Sequence, residues 1–164
     1  MVAGDKTRVL EAARGDKDPE LRKSAVHLLG VMGARTEMWE LYQAETTAEA
    51  KEALLQAMFV GGDAQHLIEV VRGDKDEAMR RAAVRNLGLL SRDRTGDVLG
   101  GVYKSDPVLR GAVIDAFFLQ QNVAALIAIA REEKDPGLRR DAVQKLSLMK
   151  SKEATAFLLE ILEK

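Results

Sequence analysis

His27 and His66 are the only imidazoles in the chain, and there is no cysteine. A metal site wants histidines at i, i+4 spacing, or a histidine among clustered carboxylates, so that three or four donors converge. Neither histidine sits in such a setting, and both read as ordinary helix-surface residues. Lack of thiols excludes disulfides, thiolate metal sites and cysteine nucleophiles. Carboxylates are plentiful, Glu132-Glu133 among them, but none has a buried-looking partner of the kind that tunes an acid or base. No hydroxyl is accompanied by a base that would activate it. Gly61-Gly62 and Gly100-Gly101 lack the Lys-Ser/Thr of a phosphate loop and read as helix punctuation or close-packing positions. These residue types predict no enzyme, and no metal or cofactor.

The elements that carry these residues follow from composition and period. With 164 residues the chain has the length of one domain or one stretch of a repeat array. Hydrophobic residues make up 46%, enough for a core, but aromatics only 4%, so that core rests on Leu, Val, Ile, Ala and Met. Lys and Arg number 25 against 26 Asp and Glu, which argues against a general nucleic-acid binder, normally strongly basic. No apolar run approaches a membrane span, and the start has no signal-peptide core. The expectation is a soluble chain, cytoplasmic or periplasmic.

A phrase is written twice. "RGDKDPELRKSAV" (Arg14–Val26) returns as "RGDKDEAMRRAAV" (Arg72–Val84), 58 residues on. Intermediate copies appear at half that shift: the position of Asp18 recurs as Thr47, Asp76, Asp106 and Asp135. Each anchor is followed by the same apolar set at helical spacing. Ala25, Val26 and Leu29 correspond to Leu54, Leu55 and Met58, then to Ala83, Val84 and Leu87. The last two copies carry Val113, Ile114 and Phe117, then Ala142, Val143 and Leu146. All three prolines, Pro19, Pro107 and Pro136, follow an anchor Asp. Asp at the N-cap accepts from a free N–H of the first turn, and Pro just inside loses no helical bond. Each anchor therefore starts a helix of about four turns, as in Pro19–Val31. A second periodic segment, such as "AQHLIEVVRG", precedes the next anchor. Two helices per period predict about eleven in all, with the third "TGDVLGGVYKS" the weakest because of Gly96, Gly100 and Gly101. The "RGD" tripeptides at Arg14–Asp16 and Arg72–Asp74 fall in phase with this period, which makes them helix-ending turns rather than adhesion signals.

The string Asp18-Pro19-x-x-Arg22-x-x-Ala25-Val26, repeated at Asp135-Pro136…Arg139…Ala142-Val143, resembles HEAT-like repeats of the short-period, phycobilisome-lyase type. The resemblance covers nearly the whole chain, with Asp76/Arg80 and Asp106/Arg110 keeping the pattern and Thr47/Lys51 departing from it. It implies an all-α, right-handed α-α superhelix of five repeats plus a terminal helix, residues 1–164 forming one array. The helix before each anchor would lie on the convex side and the helix after it on the concave side. It also implies that Asp18/Arg22, Asp76/Arg80, Asp106/Arg110 and Asp135/Arg139 form a structural ladder between repeats, weakest around Thr47 and Lys51. The His-Glu pairs of iron-binding HEAT-repeat hydroxylases are absent, since His27 and His66 are each followed by Leu.

Helical phase puts Lys23 and His27 on one exposed strip of the first concave-side helix, with Glu52 and Gln56, Arg81 and Arg85, Asp115, then Arg140 and Gln144 as equivalents. With Gly111 beside Asp115, the strip reads either as merely solvated positions or as a mixed-charge groove centred on Arg81 and Arg85, suited to a protein or peptide with a complementary acidic segment. Phe59 and Phe118 recur at a position held elsewhere by Gly30 and Gly88, and read as packing fill. The last helix carries Phe157, Leu158, Leu159, Ile161 and Leu162, more apolar residues than one stripe needs. With the abrupt start at Met1–Lys6, that suggests a piece of a larger, bacterial protein, or association through the C-terminal helix. The expected function is a non-catalytic scaffold that binds a protein or peptide on its concave face, without nucleic acid, membrane or cofactor. The alternatives are a spacer or regulatory domain of a larger protein, or a HEAT-like lyase or DNA-base-processing enzyme.

Overall fold

The computed structural model describes residues 3–164, which contain eleven α-helices, one 3₁₀ turn and no strand. In chain order these are α1 (Ala3–Gly15), α2 (Pro19–Val31), α3 (Arg35–Ala44), α4 (Ala48–Val60), α5 (Ala64–Gly73) and α6 (Glu77–Leu89). Then come α7 (Arg92–Ser105), α8 (Arg110–Leu119), α9 (Val123–Glu132), α10 (Pro136–Leu148) and α11 (Lys152–Leu162). Of the opening Met1–Lys6, Met1 and Val2 lie outside the described residues, and Ala3 already belongs to α1. The chain forms two compact units, Met1–Asn86 and Leu87–Lys164. Among the described residues no helix is long and apolar enough to cross a membrane.

The anchors act as local chemistry requires. Asp18 accepts from the Glu20 N–H at 2.9 Å, Asp76 from Ala78 at 2.9 Å, and Asp135 from Leu138 at 2.9 Å, so each caps the helix it precedes. Asp106 also caps, but a 3₁₀ turn over Pro107–Leu109 intervenes before α8 begins, so the fourth of these helices is shorter than the sequence suggests. Thr47 begins α4 without a side-chain cap. At the other ends Gly33 and Gly62 take φ of 66° and 65°. Bonds from Ala34 to the Leu29 carbonyl and from Asp63 to that of Met58 close the turns in the Schellman manner. Gln121 holds the same left-handed place at φ 53° without glycine's freedom.

The apolar set after each anchor is the core: fourteen of its fifteen members are buried, Val143 being half-buried. Leu29, Leu55, Met58, Leu87, Ile114 and Leu146 are fully enclosed, each worth about 1.5–3 kcal/mol relative to exposure. In the first unit α2 packs on α4, with α1, α3 and α5 alongside; in the second α8 packs on α10, with α7, α9 and α11 alongside. Glycine sets one of these distances. A Cβ on Gly30 would lie 2.5 Å from the Ala57 carbonyl oxygen, so α2 and α4 approach as closely as backbones allow. In the second unit Gly88 meets Ala116 of α8 in the same register, at 2.7 Å.

Two glycine positions differ from the sequence reading. Gly100 and Gly101 neither end a helix nor pack closely: they lie inside α7, and a Cβ on either would meet nothing within 4 Å. α7, expected to be the weakest, is the longest helix among the described residues, at 14 residues. Its buried Thr95, Leu99 and Val102 hold it in place, and tertiary packing outweighs propensity.

Candidate functional site

Each helix that follows an anchor (α2, α4, α6, α8, α10) leaves a stripe of its own uncovered. Lys23 and His27, Glu52 and Gln56, Arg81 and Arg85, Asp115, and Arg140 and Gln144 are all exposed. Four residues beyond each second member of the strip stands an aliphatic side chain: Val31, Val60, Leu89, Leu119 and Leu148, between 38% and 67% exposed. Spacing of i, i+4, i+8 puts all three positions on one helical face. Four of the helices therefore present two polar positions and then an apolar one; on α8 the first position is the half-buried Gly111, and the apolar member recurs in all five copies. Within the first unit α2 packs on α4, and within the second α8 packs on α10.

The charges on this stripe are partly engaged. Arg81 bonds Glu77 at 2.7 Å one turn back on α6. Asp115 bonds Lys145 of α10 at 2.8 Å, and Lys145 also holds Asp141 at 3.0 Å while lying over the Phe118 ring. Burial would lower the Lys145 pKa, but those two carboxylates raise it instead, so this cation is fixed in its charged form. Phe118 is thus half-buried under a lysine rather than offered to solvent.

Connections along the turn edge run through a carboxylate two residues before the anchor. Asp16, Glu45, Asp74 and Glu133 each accept from the anchor's own N–H, at 2.8 to 3.0 Å. Two of them are also gripped by the preceding copy. Tyr42 donates to Asp74 at 2.6 Å and Lys51 stands 3.6 Å away; Tyr103 donates to Glu133 with Arg110 at 3.6 Å. The third link is the charge of Arg22 acting on Glu45. The anchor aspartates Asp18, Asp76, Asp106 and Asp135 each accept from an N–H of the turn or helix that follows. Arg22 donates to the Asp16 carbonyl in the turn before its helix, and Arg80 and Arg110 donate to the Val71 and Tyr103 carbonyls in the last turns of α5 and α7. Arg139 is exposed. Lys51, whose position departs from the Arg pattern, forms an ion pair with Asp74.

Titration follows from these contacts. Burial would raise the Asp74 carboxyl, but the Tyr42 hydroxyl, the Asp76 N–H and the Lys51 charge hold it below the usual carboxylate range. Glu133 is lowered by Tyr103 first, then by the Asp135 N–H and Arg110. Both tyrosines are pushed up, by burial and by the carboxylate each faces. Glu133 is thus engaged by half-buried Tyr103 and Arg110, partners that the sequence does not name. Its role is a link between α7 and α9: a carboxylate lowered and fully engaged is a poor proton acceptor.

His27 is exposed on α2, but His66 is not a surface histidine. Its Nδ1 lies 2.6 Å from Asp63, which is 1% exposed and caps α5, and its ring stacks on Trp39 at 4.8 Å. Among the described residues no group of three or more His, Asp or Glu side chains is placed to hold a metal ion.

The chain matches no family model, and no curated protein matches it significantly. The recurrent exposed aliphatic position and the carboxylate two before the anchor both carry a sequence signal in register with the 29–30-residue period. The stacking of Trp39 on His66 has none, because it depends on α3 lying against α5.

Proposed function

We propose that the chain is a HEAT-like α-solenoid of five repeats plus a terminal helix, wound as a right-handed superhelix, and that it binds a protein or peptide on its concave face without chemistry of its own. The observation that carries this reading is the exposed face on each of α2, α4, α6, α8 and α10, where a polar position is followed four residues on by an exposed aliphatic one in every copy. An exposed aliphatic residue kept in phase beside exposed charges suits an extended amphipathic partner: apolar contact supplies affinity and the charges supply register. Arg85 and Arg140 favour acidic residues on that partner.

Affinity capture from a lysate, with the wild-type chain and an Arg81→Glu/Arg85→Glu variant as baits, tests the reading. A protein retained by the first and lost by the second supports it. The same protein on both baits, or nothing specific on either, counts against it.

A second reading, as a spacer or regulatory domain of a larger protein, is favoured by α11. Its Leu159, Ile161 and Leu162 are exposed while Ala154 and Phe157 face inward, an apolar surface suited to lying against further structure.

A further inference from the structure

The two units fill the space between their first helices differently. In the first, Trp39 of α3 lies flat against His66 of α5, at 4.8 Å and 14° between planes, and against Tyr42, at 5.8 Å and 4°. The second unit keeps the same frame. Tyr103 bonds Glu133 as Tyr42 bonds Asp74, and Asn122 caps α9 on the Ala125 N–H as Asp63 caps α5 on the His66 N–H. That frame fixes the correspondence: three residues before the tyrosine stands Trp39 in one unit and Gly100 in the other, and at the capped N–H stands His66 in one and Ala125 in the other. Both members of the aromatic pair are missing. In their place is an open cleft of about 450 Å³ bounded by Gly100, Tyr103, Ala125 and Ile129, within the usual range for ligand sites.

Packing does not account for Gly100. It lies mid-helix, where glycine costs about 1 kcal/mol relative to alanine, and a Cβ there would touch nothing within 4 Å. The rim is charged. Lys104 and Lys134 are exposed, with Glu132 as the opposing carboxylate. Arg110 and Glu133 neutralise each other below them.

We propose that this cleft receives a tryptophan side chain from a partner protein, presented in an acidic segment. The indole takes the place that Trp39 occupies in the first unit, against Tyr103, and acidic neighbours meet Lys104 and Lys134. This site is separate from the stripe on α2–α10 and stands whether or not that stripe binds. Aromatic anchors entering preformed apolar pockets carry a disproportionate share of interface energy, which suits a cleft of this size.

Amide NMR titration of the whole chain with a blocked Asp-Trp-Glu tripeptide tests it, with Asp-Ala-Glu and Ser-Trp-Ser as comparisons. Saturable shifts should centre on Gly100, Tyr103 and Ala125, at least tenfold weaker with the alanine peptide. A Gly100→Trp/Ala125→His variant, which transplants the first unit's pair, should abolish them. Gly100→Leu serves the same purpose should the double variant misfold. Lys104→Glu/Lys134→Glu should weaken Asp-Trp-Glu about tenfold and leave Ser-Trp-Ser unchanged, 1.4 kcal/mol being a factor of ten. No saturable shift at about 5 mM peptide, a range that would still reveal millimolar binding, overturns the proposal. So does equal binding of the Trp and Ala peptides, or undiminished binding by both filled variants.

Discussion

Replacing Gly30 by alanine should destabilise the protein, although alanine is the better helix former. The propensity gain is about 1 kcal/mol in a helix interior. Against it, the new Cβ lands 2.5 Å from the Ala57 carbonyl oxygen and 3.0 Å from its Cα. Both are backbone atoms, which cannot rotate aside. Carbon neighbours settle at about 3.5–4.0 Å, so α2 and α4 must part by on the order of 1 Å. Overpacking of a closed core costs about 1–3 kcal/mol, and a gap of that width forfeits a further share of dispersion along the seam. The net result is a loss of about 1–2 kcal/mol. Gly101→Ala is the internal control. It lies in α7, is exposed and meets nothing within 4 Å, so the propensity gain of about 0.5–1 kcal/mol stands alone. Thermal unfolding by far-UV circular dichroism separates the two. At roughly 2–4 °C per kcal/mol for a chain of this size, Gly30→Ala should lower Tm while Gly101→Ala raises it. If Gly30→Ala melts at or above the wild type, the close approach of α2 and α4 is not a constraint and the reasoning fails.

Tyr42→Phe removes a donor from Asp74, whose side chain is only 10% exposed, and should cost about 1.5–3 kcal/mol near neutrality. Because the folded Asp74 pKa is depressed, its contribution is complete above the unfolded value near 3.9 and fades as pH falls through the folded one. Urea titrations should therefore show the gap between wild type and variant closing below about pH 4; a constant gap would mean the hydrogen bond is not linked to ionisation. Gln121→Gly should stabilise by about 1 kcal/mol, since Gln121 sits at φ 53° where L-residues are strained, and an unchanged urea midpoint would refute this. Asp63→Ala strips the cap of α5 and the His66 partner together, and should lower stability by about 2 kcal/mol in the same assay.

Local chemistry is legible in the sequence, and what depends on neighbours is not. The Asp-Pro pairs locate the starts of α2 and α10 because an N-cap and its proline act within one turn. The buried set is readable because helical spacing and a fixed period both select it. Helical phase names the charged strip but not its aliphatic end: Leu148 resembles any core leucine until its exposure is known. Asp74 reads as part of a helix-ending turn and Glu133 as a carboxylate without a partner, since nothing in either names the tyrosine some 30 residues earlier that bonds it. His66 reads as a surface residue for the same reason, its setting being made by Trp39 and Asp63 together. Gly100 and Gly101 read as helix punctuation or close-packing positions because propensity is local, whereas Leu99 and Val102 bury the helix that contains them.

Hydrogen exchange on the chain alone, and with the protein retained by the wild-type bait, tests most directly whether the uncovered stripe is a working surface. Added protection should fall on α2, α4, α6, α8 and α10 and leave α3 and α5 unchanged. Protection confined to α11, or to the helices that precede the anchors, would contradict a partner held on that face.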